Sequence, residues 1–154
     1  MAFDPKKLTP LDWAIVGGGI VVFIAMFMPW WGYDAGLISA SVSGWSTGFT
    51  GWFGGLLLIA AAVYVALRRA EVSLPDLPIG PAVTAAGAAV IGLAFVLLRW
   101  LTMPRRHIRI GTSRVGYGAK FGIWLAILAG IVEAAAAVVE LRSSGEPVPW
   151  DKTP

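Results

Sequence analysis

Apolar residues in this chain neither alternate with polar ones nor recur as a narrow stripe; they run together in four long blocks. The first is Trp13 to Trp30, WAIVGGGIVVFIAMFMPW, without a charge. The second is Gly51 to Leu67, GWFGGLLLIAAAVYVAL, closed by Arg68 and Arg69. The third, Pro81 to Leu98, is closed by Arg99 and Trp100, and the fourth, Phe121 to Val139, by Glu140 and Arg142. About 20 mostly apolar residues are enough for a helix to cross the hydrocarbon core. A helix also satisfies its own backbone where no water can. Trp, Tyr and Arg bracket the blocks, as interfacial anchors do. The pattern therefore predicts an all-α membrane fold: an up-down bundle of four transmembrane helices over 13–142 (13–30, 51–67, 81–98 and 121–139). Residues 1–12 would be an N-terminal tail, and 143–154, SSGEPVPWDKTP, a polar, disordered C-terminal one. Thr9, Pro10 and Asp12 supply helix-starting chemistry. An apolar run after Lys6 and Lys7 is also how a signal peptide opens, but this one is long and ends in Phe-Met-Pro-Trp-Trp with no small-x-small cleavage site.

The connections differ from one another. Residues 31–50 hold one acid and no Lys or Arg, and their Ile38–Ser43 stretch alternates as a short strand does. Residues 70–80 form a Pro-rich turn. Residues 99–120 carry Arg99, Arg105, Arg106, Arg109, Arg114 and Lys120, with a second alternating stretch beginning at His107. Ile108, Ile110 and Ser113 are predicted to pair with Ile38–Ser43, making a small β cap from the first and third loops.

Composition agrees with the blocks. At 154 residues, 57% hydrophobic and 14% charged, with mean hydropathy +0.74, the chain departs from soluble domains, which carry about 25% charged residues. With no cysteine, neither a disulfide nor a thiolate metal site is possible. The net charge of +3 sits beside the apolar blocks, which fits anionic lipid head groups and not nucleic acid. The single histidine, His107, lacks the partners for a zinc site or a nucleophilic triad. No phosphate-binding glycine loop or internal repeat is present. No catalytic, cofactor or metal site is expected, and the chain reads as no enzyme.

Positive charge marks the cytoplasmic side, and here it ties. With the N-terminus inside, Lys6, Lys7, Arg68, Arg69, Arg142 and Lys152 face six basic residues outside. The first helix usually dominates, so both termini are placed in the cytoplasm and the basic loop outside a cell (inner) membrane.

Four features could carry function. Gly51 and Gly55, and Gly122, Ala126 and Gly130, recur every fourth residue, and small residues at that spacing let helices approach closely. They fit internal packing of the bundle or docking to a larger membrane protein. Glu133 lies twelve residues after Phe121, ~18 Å along a helix. It shares a face with Ala126, Ala129, Gly130 and Ala137. An intramembrane carboxyl defaults to a functional hypothesis: an ion pathway, a salt bridge to a partner, or an internally hydrogen-bonded acid. With no second station in the first three spans, the structural reading is favoured. Arg105, Arg106, Arg109 and Arg114 could grip phosphate or lipid head groups, or simply anchor two helix ends. Trp45, within Ser-Gly-Trp-Ser-Thr-Gly, is the one mid-loop tryptophan and could anchor its loop or a partner.

The Phe27-Met28-Pro29-Trp30-Trp31 run, Ser43-Gly44-Trp45, the Gly51-Trp52 start of the second block and the Tyr117-Gly118 to Trp124 approach to the fourth resemble a broad group of uncharacterised actinobacterial four-span membrane proteins. That resemblance implies a topology and a bacterial inner membrane, not an activity. The plan is also loosely similar to that of claudins, whose strand-bearing first outer loop holds tryptophans, but claudins carry a cysteine pair there and this chain has none. The function expected is a non-enzymatic accessory or scaffold subunit binding membrane lipids, a larger membrane complex or a second copy; the alternative is a small transporter or channel using Glu133.

Overall fold

The computed structural model describes residues 4–150; Lys152 and the ends of both expected tails lie outside them. Four helices are long and apolar enough to cross a membrane: α1 (Pro10–Phe27), α2 (Phe49–Arg69), α3 (Pro81–Thr102) and α4 (Phe121–Ser144). Each packs on its chain neighbours, and α1 closes on α4, giving an antiparallel ring. Its centre is filled by Ile15, Val22, Met26, Leu58, Ala89, Val96 and Ile123, all fully buried. By these helices the chain is a multi-pass membrane protein.

Local chemistry sets the ends. Thr9 caps α1 by accepting from the Asp12 N–H at 3.2 Å, and Asp12 accepts in return from the Thr9 N–H at 2.9 Å, a capping box built with Asp. At its other end α1 stops at Phe27, three residues short of the expected Trp30. Met28 precedes Pro29, and the proline ring disfavours helical backbone in the residue before it. Helix α4 runs past Val139 to Ser144, where Gly145 turns left-handed at φ 68°. Residues 143–146, expected in the disordered tail, finish that helix and fasten it to α3. The Glu146 carboxylate accepts from the Ala82 and Val83 N–H groups at 2.9 and 3.3 Å.

A four-stranded antiparallel sheet, in the order β2-β1-β4-β3, stands at the opposite end of the bundle. Its strands are β1 (Pro29–Asp34), β2 (Ser39–Ser43), β3 (Arg106–Ile110) and β4 (Ser113–Ala119). The first and third loops do build it, but the expected pairing of Ile38–Ser43 with Ile108–Ser113 is wrong. Strands β2 and β3 are the two outer edges, and β1 and β4 join the hairpins, with Tyr33 opposite Tyr117. Each hairpin closes locally, which leaves the helix-attached strands to meet. Trp30 is fully buried, and its indole N–H donates to the Ala25 carbonyl at 2.7 Å. The Trp31 indole N–H donates to the Pro104 carbonyl at 2.9 Å. These bonds fix the sheet to the ends of α1 and α3.

Candidate functional site

Register divides the sheet into two unlike faces. Trp31, Tyr33, Val115, Tyr117 and Ile108 lie on one, with Arg106 opposite Tyr117. Its rings form a continuous layer: Trp31 and Tyr117 stack at 6.0 Å between centroids, and Tyr33 follows at 5.7 Å. On the other face are His107, Arg109 and Arg114, with glycines at 116 and 118. A Cβ built at Gly118 would meet nothing within 4 Å and one at Gly116 would touch only the His107 ring at 3.8 Å, so the face is bare beside these side chains. Arg109 and Arg114 are exposed and directly opposite each other in register. Like charges placed so repel by roughly 0.2–1 kcal/mol. The one acid on this face, Asp34, is taken up by Lys120. Among the described residues no carboxylate pairs with Arg105, Arg106, Arg109 or Arg114. His107, Ile108, Arg109 and Arg114 line a shallow cleft of about 270 Å³. The arrangement can hold an anion between two guanidinium groups.

The other expected residues fall elsewhere. Arg105 is turned back on the bundle, its guanidinium 4.6 Å over the Trp100 ring and donating to the Trp100 carbonyl at 3.2 Å. Trp45 sits in a short 3-10 turn before α2, edge-on to Phe27 at 5.8 Å, so it anchors its loop. The small residues face inward. A Cβ at Gly122 would come within 2.7 Å of the Pro29 carbonyl oxygen, and one at Gly130 within 3.1 Å of Leu93. Gly51 abuts the Thr47 hydroxyl, Gly55 abuts Met26, and Ala126 is fully buried. Helices α2 and α3 approach closely at Gly54 and Gly92, where each would place a Cβ 2.8–2.9 Å from the other's carbonyl oxygen.

Glu133 is fully buried against α1, where a Cβ at Gly18 would lie 2.9 Å from its own Cβ. Neither carboxyl oxygen has a hydrogen-bond partner among the described residues. The nearest charged cluster along α4 begins at Glu140, seven residues away, or ~10 Å along the helix.

That cluster was missed. Asp12 is fully buried at the far end of the bundle from the sheet, and Arg69 grips it with Nε–Oδ2 at 2.8 Å and Nη2–Oδ1 at 3.2 Å. The same Nη2 reaches Glu140 at 3.1 Å. One guanidinium thus ties α1, α2 and α4. Each residue alone reads as a helix end or a flanking charge; the signal was that an up-down bundle brings those three ends level.

No family model, curated protein or solved structure matches the chain.

Proposed function

We propose that this chain is a non-enzymatic accessory subunit of a larger membrane complex, and that its sheet grips an acidic, extended segment of a partner. The carrying observation is the opposed, unpaired Arg109 and Arg114 on a bare sheet face. Strand β3 adds a free edge whose backbone groups can pair with another strand, a mode of protein recognition that lipid head groups cannot use. Exposed Ile108 and Ile110 offer apolar contact along the same edge. Both termini are placed in the cytoplasm, so that the sheet stands outside the inner membrane. A basic outer surface then has its reason in the partner and not in topogenesis. The small-residue faces are not the docking surface on this reading, because the bundle uses them itself.

The test is gentle purification from native membranes followed by native mass spectrometry. The wild-type chain is expected in fixed ratio with one larger protein, and Arg109→Glu/Arg114→Glu is expected alone. A wild-type chain that emerges alone and monomeric overturns the reading. Reporter fusions at residues 40 and 75 should report opposite compartments.

A second reading, a small transporter or channel, rests on the unpartnered carboxyl of Glu133. Ion flux in liposomes that Glu133→Gln abolishes would favour it; no flux in either protein favours the accessory role.

A further inference from the structure

At the end of the bundle remote from the sheet, α3, α4 and the chain after α4 line a groove of about 800 Å³, within the range of about 300–1,000 Å³ typical of small-molecule sites. Its floor is made of small residues, Ala86 and Gly87, and a Cβ at Gly87 would meet nothing within 4 Å. Val90 and Leu141 form walls, and Trp150, from the chain that follows α4, forms the rim. The lining extends along α3 to Ile91, ten residues in from Pro81, ~15 Å by helical rise and so about half of the ~30 Å hydrocarbon core. Arg142 stands at the mouth and pairs with no carboxylate among the described residues. The nearby Glu146 makes no ion pair with it; that carboxylate accepts instead from the first N–H groups of α3.

We infer that this groove is a binding site for one anionic glycerophospholipid of the adjacent leaflet, an acyl chain lying over Ala86 and Gly87 and the phosphate meeting Arg142. The dimensions choose the occupant. A partner's transmembrane helix needs a face as tall as the bilayer, whereas this groove is one leaflet deep and ends under Trp150. An apolar trough of acyl-chain length with a cation at the interfacial end is complementary to an anionic lipid in both shape and charge. Trp150, exposed at the rim, suits the head-group level, where indole rings partition. Glu146, by pinning the chain after α4 to α3, holds the rim in place. The site is independent of the sheet and stands or falls apart from the accessory role.

The experiment is native mass spectrometry of the full chain released from nanodiscs of equal phosphatidylglycerol and phosphatidylcholine. Wild type is expected to retain one phosphatidylglycerol. Gly87→Leu, which fills the floor, and Val90→Trp, which fills it from the wall, should each lose the lipid; Leu128→Trp, at a lipid-facing position outside the groove, should keep it. Arg142→Gln should reduce the preference for phosphatidylglycerol about fivefold, the share of one cation at a membrane surface. Equal retention by wild type and both groove-filling variants, each checked for folding by its melting temperature, overturns the site. An undiminished preference in Arg142→Gln overturns the phosphate contact and with it the choice of an anionic lipid.

Discussion

The two ends of this bundle carry basic residues in similar number, and one cluster at each end shows two opposite uses of them. At the terminal end Arg69 is surrounded by Asp12 and Glu140, and Lys7 reaches Glu71 at 3.1 Å. At the sheet end, among the described residues, only Lys120 has an acid, and Arg109 faces Arg114. The first arrangement holds helices together: a buried carboxylate would be intolerable without its guanidinium. The second opposes its own strands, so the fold gains nothing from it. Charge that stabilises the structure is accounted for by the structure. Charge that strains it is what the proposed partner would account for.

If that contrast is right, the largest effect belongs to the terminal end. Arg69→Met should lower unfolding stability in micelles by about 2–3 kcal/mol, because Asp12 stays buried and unpaired; partial exposure of Arg69 keeps the loss below that of a fully buried pair. The double variant Asp12→Asn/Arg69→Met should recover more than half of it. Failure to recover would mean that Arg69 acts by packing and not by pairing, and the comparison would break. Next in size is the uncharged seam between the ends. Gly54→Ala drives a Cβ toward the Gly92 carbonyl and should cost about 1–2 kcal/mol. Gly87→Ala, on the open groove floor, should instead stabilise by up to about 1 kcal/mol through helix propensity. Two glycines alike in sequence would then differ in sign, read by the same melting curves.

That pair of glycines marks where the sequence ceases to be informative. Four spans were legible because hydrocarbon thickness sets their length, and nothing about neighbours is needed to read it. Gly54 and Gly87 look equivalent, since spacing says which face a residue is on and not what lies across from it. The strand register was misread for a related reason. Trp31-Gly32-Tyr33 and Val115-Gly116-Tyr117 alternate as strands should, but Trp31 also fits an interfacial belt and the glycines weaken a strand signal. With those two segments unassigned, the remaining alternating stretches were paired with each other. The Asp12–Arg69–Glu140 clamp joins residues 57 and 71 apart in sequence, and only the order of helices around the ring brings them together. The four arginines Arg105, Arg106, Arg109 and Arg114 are evident from sequence, yet which of them share a sheet face depends on the register. Arg105 belongs to Trp100, and Arg109 and Arg114 belong to the bare face.

The remaining predictions sharpen the sheet end. Arg105→Ala removes a cation–π contact and one hydrogen bond at an exposed site and should cost about 0.5–1 kcal/mol, with no effect on partner retention. Arg114→Glu should have the smallest effect on folding and the opposite sign. It converts a repelling cross-strand pair into an attracting one, for a gain of a few tenths of a kcal/mol, since such pairs contribute about 0.2–1 kcal/mol. The same substitution should release the partner from purified complexes. Stability and binding moving in opposite directions is the signature of a residue kept for its partner. A variant that loses both would make Arg114 one more structural cation, and the two ends of the bundle would no longer differ in kind.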